Sequence, residues 1–280
     1  VKPAPFVYHA PGTLDEAVAL LARLAPEEGR ILAGGQSLAP AMAMRLARPA
    51  HLIDINRVPE LATLAVIDDA LSIGACVRHE ALGAAAAPGP LGRLLALVQR
   101  HIAHPPIRSR GTFCGSLAHA DAASEWCLLA VALDAVIEAH GPGGARRIPA
   151  ADFLLGYMTT ALATDEMIVR AHVPLLPEGA RVGFHEFARR SGDFAVVMAL
   201  ATFEVQGGLV ANPRIAIGSL EARPRRLPDA EVALAGHPPR SDSFAAAARA
   251  AAASLGRLDD EAYGRALAEA SVLRALMQAG

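Results

Sequence analysis

Residues 61–77, LATLAVIDDALSIGACV, constrain the fold more than any other stretch of the chain. Two apolar runs flank Asp68-Asp69, residues suited to a tight turn, and Ser72 to Cys76 reads as the returning strand. Strands joined by so short a turn run antiparallel. A doubly wound nucleotide fold places a helix between successive strands, so this hairpin argues against that fold and for a mixed α+β order.

The surrounding segments agree. TLDEAVALLARLA (Thr13 to Ala25) has helical apolar spacing, with Thr13 as N-cap and Glu16 as its capping-box partner. Arg30-Ile31-Leu32-Ala33 predicts a short strand running into Gly34-Gly35, and HLIDINRV (His51 to Val58) predicts another. RHEALGAAA and GPLGRLLALVQRHIA read as helices, the second stopped by His104-Pro105-Pro106. Ile107 to His140 reads as a loop followed by a buried helix or strand pair. Thr164 to Pro174 is a strand with Met167, Val169, Ala171 and Val173 on one face. A boundary falls near Leu175 to Gly179. Beyond it come the strand GFHEFARR, a helix starting near Asp193, strands in ATFEVQGG and PRIAIGSL, and two Ala-rich helices between Ser241 and Gly280.

Composition removes several functions. A formal net charge of −2 offers no footprint for nucleic acid and no polybasic membrane anchor. Cys76, Cys114 and Cys127 form no C-x-x-C, so neither a zinc site nor a cysteine-held iron–sulfur cluster can be built from this chain alone. Its longest apolar stretches fall well short of the roughly 18 residues that span a bilayer, and VKPAPFVYHAPGTLDEAV lacks a signal-peptide core. The expectation is a cytoplasmic protein without a membrane span.

Three stretches can carry chemistry. In AGGQS, backbone amides free of Cβ can cradle a phosphate, Ser37 adds a hydroxyl, and a helix beginning near Leu38 adds the positive end of its dipole. A lone Gly-Gly is nevertheless more often a plain strand-to-helix turn. In SRGTFCGSLAHADAASEW, the small and polar residues Gly111, Thr112, Gly115, Ser116, His119, Asp121, Ser124 and Glu125 suit close approach to a ribose or ribityl group. They suit a helix N-cap equally well. In FHEFARRSGDFAVV, the Arg189-Arg190 pair beside Asp193 reads first as a surface ion pair. His101 and His104 lack a third metal ligand nearby, Met42 and Met44 read as packing, and no G-x-S-x-G marks a hydrolase.

AGGQSLAPAMAMRLARPAHLIDINRV, GTFCGSLAHADAASE, GYMTTALATDEMIVRAHVP and FARRSGDFAVV occur in one order along the chain. In that order the chain resembles the FAD-binding medium subunits of molybdenum hydroxylases, the group of carbon monoxide dehydrogenase medium subunits and xanthine dehydrogenase flavin domains. The resemblance runs from about Pro5 to the final helices. It implies an α+β bipartite FAD-binding fold of two subdomains, residues 1–56 and 57–175. A small C-terminal α/β domain, 176–280, would follow, with a three-stranded antiparallel sheet and helices. Ala33, Gly34, Gly35, Gln36 and Ser37 would wrap the FAD pyrophosphate, with Leu38 closing the loop and Arg30 near the phosphates. Thr112, Gly115, Ser116 and His119 would contact the dinucleotide, and Asp121 and Glu125 would accept hydrogen bonds from its sugar part. Ile168 would lie near the isoalloxazine and Phe194 beside it. His185 stands where xanthine dehydrogenases carry a lysine.

Two further departures mark the pattern. Thr112-Phe113-Cys114-Gly115-Ser116 replaces the family's Thr-Ile-Gly-Gly-Asn, and the loop after Asp121 lacks the usual proline. The resemblance also implies partners: a large molybdenum-cofactor subunit and a small [2Fe–2S] subunit, assembled as a dimer of heterotrimers. The FAD held by this chain would pass electrons to an external acceptor, with no catalytic acid–base dyad here. Two competing readings are an ATP-dependent phosphotransferase using Gly34 to Leu38 and a non-catalytic assembly subunit. The former needs a Mg²⁺-holding acid and a basic residue by the γ-phosphate.

Overall fold

The computed structural model describes residues 2–258 and 260–280. Its N-terminal part alternates strand and helix: β1 (Val7–His9), α1 (Leu14–Leu24), β2 (Gly29–Leu32), α2 (Leu38–Ala43) and β3 (His51–Asp54). These strands form a parallel sheet in the order β1-β3-β2. Strict alternation therefore holds in this short stretch, although not in the chain as a whole. Helix α1 starts where its cap predicts: the Thr13 hydroxyl accepts the Glu16 N–H at 3.2 Å, and the Glu16 carboxylate accepts the Gly12 N–H at 2.8 Å.

The hairpin then changes the architecture. Strands β4 (Leu64–Ile67) and β5 (Ala70–Gly74) pair antiparallel around Asp68 and Asp69, whose φ of 47° and 60° give the turn the handedness a twisted hairpin needs. Helices α3 (Gly89–Gln99), α4 (Pro105–Arg108), α5 (Phe113–His119) and α6 (Glu125–Ala132) follow. The hairpin β6 (Val136–Gly141) and β7 (Gly144–Pro149) comes next, then α7 (Ala150–Phe153), the short pair β8 (Leu154–Gly156) and β9 (Thr159–Thr160), and β10 (Met167–Pro174). The long strands assemble as an antiparallel sheet in the order β4-β5-β10-β6-β7.

The helix expected in RHEALGAAA is two 3₁₀ turns, His79–Ala81 and Ala84–Ala86. Arg78 is held extended by an isolated bridge to Thr112, and His79 is drawn into the interior. Tertiary contacts thus override helix propensity at this point.

The C-terminal part holds β11 (Arg181–Ala188), β12 (Ala195–Gln206), β13 (Leu209–Gly218), the two-residue β14 (Arg225–Arg226), α8 (Pro228–Leu234), α9 (Ser241–Ala253) and α10 (Glu261–Ala279). Its sheet, β11-β12-β13-β14, is antiparallel, so β14 adds a short fourth strand to the three expected. No helix starts near Asp193; β12 begins at Ala195 and runs for 12 residues. Its apolar run hides a period of two. Met198 and Leu200 enter the core of the N-terminal half, whereas Val197, Ala199, Ala201 and Phe203 enter a second core with α8, α9 and α10. A strand covered on both faces shows no polar alternation in its sequence. Among the described residues, no helix is long and apolar enough to cross a membrane, and no cluster of His, Cys, Asp and Glu could hold a metal ion.

Candidate cofactor cleft

Strand β2 delivers the first glycine loop to the seam between the two N-terminal sheets. A Cβ at Gly34 would overlap the Arg110 carbonyl and come 2.7 Å from the Gly111 Cα, so the two glycine loops touch backbone to backbone. Gly35 has a φ of 72°, which a side chain would strain. The loop is tied internally: the Gln36 side-chain amide donates to the Gly34 carbonyl at 3.1 Å, and the Ala39 N–H to the Gly35 carbonyl at 2.9 Å.

The second loop enters α5. The Thr112 hydroxyl accepts the Gly115 N–H at 3.0 Å, and a Cβ at Gly115 would lie 2.6 Å from that oxygen. Thr112 therefore acts as an N-cap, and Gly115 is small because the cap sits against it. Cys114 adopts ordinary helical backbone, with its thiol turned down toward the Ile73 carbonyl at 3.5 Å. Burial pushes this thiol's pKa well up, as it does those of Cys127, to about 12, and Cys76, to about 11, so none is a ready thiolate. Cys114 is thus accommodated on ordinary helical backbone in the first turn of α5.

A polar brace spans the two loops. Arg78 donates to the Arg110 carbonyl and to the Asn56 side-chain oxygen, each at 2.6 Å. Asn56 in turn donates to the Ala33 carbonyl at 2.9 Å, and Asp54 holds Asn56 from one side and the Tyr8 hydroxyl from the other.

Between the loops runs a cleft of about 560 Å³. Of the sequence-predicted residues, Arg30, Ala33, Gly34, Gly35, Gln36, Ser37, Leu38, Thr112, Gly115, Ser116, His119 and Ile168 line it. Sequence reading missed His79, Met158, Thr160, Leu162 and Glu166, which also line it. Of these, Glu166 is the cleft's acid. Arg146 grips it through two hydrogen bonds of 2.7 Å and lowers its pKa, so its charge is compensated. The lining of backbone, small residues and neutralised acid fits an elongated anionic dinucleotide.

Asp121, Glu125, His185 and Phe194 lie outside this cleft. Asp121 accepts the Ala123 N–H at 2.9 Å in a local turn. Glu125 opens α6, and burial, reinforced by the Asp121 charge, raises its pKa to about 7. His185 on β11 meets Arg274 at 3.2 Å, and burial lowers its pKa. Phe194 is 76% exposed between β11 and β12.

Residues 4–176 match the FAD-binding domain found in molybdopterin dehydrogenases, and residues 183–279 match the C-terminal domain of the CO dehydrogenase flavoprotein. The chain belongs to the FAD-binding medium subunits of the molybdenum hydroxylases. The nicotine 6-hydroxylase medium subunit of Paenarthrobacter nicotinovorans is 38% identical over 98% of this chain and 96% of its own. Two solved structures superpose with a TM-score of 0.92, each at 36% identity over all of this chain and 98% of theirs. One is a carbon monoxide dehydrogenase from Hydrogenophaga pseudoflava that lacks the Mo-pyranopterin moiety of the molybdenum cofactor; the other is quinoline 2-oxidoreductase from Pseudomonas putida 86. The medium subunit is thus an oxidoreductase component with a mixed α+β fold, and its cofactor is FAD.

For this medium subunit the brace makes a measurable claim. Asn56→Ala frees the Ala33 carbonyl and leaves Arg78 one partner short, in a region open to solvent. Losing a hydrogen bond of this kind costs about 1 kcal/mol of stability, so Tm of the flavin-free chain should fall by roughly 2–4 °C. FAD affinity should fall by up to about fivefold, to the extent that binding must re-order the loosened loops. Titration of the flavin-free chain with FAD, followed by fluorescence quenching, measures the second effect.

Proposed function

We propose that this chain is the electron-transfer subunit of a molybdenum hydroxylase complex. It would take electrons from [2Fe–2S] clusters on a small partner subunit and pass them to an external acceptor. A large partner subunit carries the molybdenum cofactor and the substrate to be hydroxylated, and the assembly is a cytoplasmic dimer of heterotrimers. The observation that carries this reading is the convergence of both glycine loops on one cleft, within the segment that matches an FAD-binding domain. The domain limits that go with it are 1–56, 57–175 and 176–280.

When bound, FAD would supply the redox chemistry that links one-electron donors to the external acceptor. The chain's own residues bind and orient. The Gly34-to-Leu38 and Thr112-to-Ser116 loops hold the dinucleotide through backbone and small side chains, with Arg30 and His119 on the same walls. Ile168 offers an apolar surface, and Asp121, Glu125, His185 and Phe194 are proposed to act from outside the cleft. The phosphotransferase reading fares worse, because the cleft's acid is occupied by Arg146 rather than free for Mg²⁺.

Purification from the native source tests the proposal. The expected result is one large and one small partner, with FAD, iron and molybdenum in the same peak. A chain that runs alone, colourless and flavin-free would reject it. An assembly subunit without redox function would bind flavin yet fail to reoxidise it, after photoreduction, through its partners.

A further inference from the structure

His79 is 5% exposed and makes a defining contact: its Nδ1 lies 2.9 Å from the Trp126 indole nitrogen. An indole N–H only donates, so Nδ1 must carry the lone pair. Burial, with the Arg78 and Arg108 charges, lowers the pKa of His79 to about 4, so the ring is neutral near pH 7. Its one proton then resides on Nε2.

Nε2 points where the glycine loops meet. A Cβ at Gly111 would overlap both Nε2 and Cδ2, so this edge of the ring packs against Gly111, which itself touches the Gly34 loop. The ring lines the cleft, and Nε2 has no hydrogen-bond partner among the described residues. A fixed N–H donor on a largely buried ring therefore sits at the cleft wall, still reachable from the cleft, and an acceptor entering there would satisfy it.

We propose that His79 is a further ligand of the bound dinucleotide, its Nε2–H donating to an oxygen of the pyrophosphate. Phosphate oxygens only accept at neutral pH, which matches a donor whose tautomer is locked from behind by Trp126. The proposal rests on the FAD reading of this cleft.

The test compares two probes on the full chain: FAD, and riboflavin, which has no pyrophosphate. His79→Phe alone leaves the Trp126 N–H without an acceptor, so the informative pair is Trp126→Phe and the double variant His79→Phe/Trp126→Phe. The double variant should bind FAD about 10- to 100-fold more weakly than Trp126→Phe, the loss of one hydrogen bond to a charged acceptor. Its riboflavin affinity should be unchanged within about twofold. Equal FAD affinities where Trp126→Phe binds FAD as tightly as the wild type, or an equal loss for both probes, overturns the assignment. A Trp126→Phe variant that itself loses affinity for FAD but not for riboflavin supports it, since that variant has lost the lock on the tautomer. In the wild-type chain labelled with ¹⁵N-histidine, the Nε2-bound proton should move downfield when FAD is added, and an unmoved resonance also overturns it. If the wild-type chain takes up no FAD, the reading of the cleft falls and this inference with it. If it takes up FAD and only these comparisons fail, the error lies with His79.

Discussion

Gly34→Ala is expected to leave the protein without its flavin. The added methyl would meet the Arg110 carbonyl and the Gly111 Cα, both backbone atoms, so no rotamer change can relieve the overlap. The loops must move apart, and they line the cleft that they would otherwise close on the dinucleotide. Overpacking of this kind typically costs about 1–3 kcal/mol, and here that cost falls on the geometry that binds the ligand. FAD affinity should drop at least about 100-fold, by that strain together with lost contacts from both loops. Flavin absorbance of the purified variant relative to its protein absorbance, followed by titration with FAD, measures the effect. Gly35→Ala offers a graded comparison. Its φ of 72° makes alanine strained rather than blocked, at about 1–2 kcal/mol, so a loss nearer tenfold is expected.

Glu186→Gln is expected to stabilise the protein at alkaline pH. The Glu186 side chain is 3% exposed, and its Oε2 has no partner among the described residues. His101 approaches at 3.8 Å, but burial and the neighbouring Arg100 lower the pKa of His101, so it offers no dependable positive charge. Burial first, and the Glu125 carboxyl second, raise the pKa of Glu186 to about 8. The folded state therefore retains a proton that the unfolded chain releases near its ordinary value of 4.5. Stability from this group is full below that value and is lost as pH climbs through 8. Glu125, at about 7, acts in the same direction. His79 acts in the opposite one, its contribution full above 6.5 and lost as pH falls toward 4. Glutamine keeps the shape without the titration. The variant should therefore gain about 2 kcal/mol at pH near 8.5, or roughly 4–6 °C in Tm, and little near pH 5. Thermal melts of both proteins across that range measure it, and parallel curves would show that Glu186 does not titrate with folding.

The sequence reveals what local chemistry dictates. Thr13 with Glu16 announces α1, Asp68-Asp69 announces a hairpin, and the two glycine loops announce a cleft because few other residues permit backbone to approach backbone. Long-range contacts stay hidden. His79 lies in a segment that reads as helix, and contacts far along the chain, with Trp126, Gly111 and Gln99, draw it beneath the second loop. Strand β12 lacks alternation because cores on both sides claim its side chains, so its start could be mistaken for a helix. The acidic and aromatic positions taken from resemblance, Asp121, Glu125, His185 and Phe194, sit on elements that the cleft does not include.

The C-terminal sheet also bears on how the molecule comes apart. Each of its faces is glued to a different half of the protein: Val182, Phe184, Met198 and Leu200 to one, Val197, Ala199, Phe203 and Ile215 to the other. Two inherited modules thus share a single wall. Pulling them apart would strip a continuous oily surface from strands that neither module can cover alone, so calorimetry should record one endotherm rather than two. A swing of one module against the other would expose that same shared wall, so the two are expected to move together.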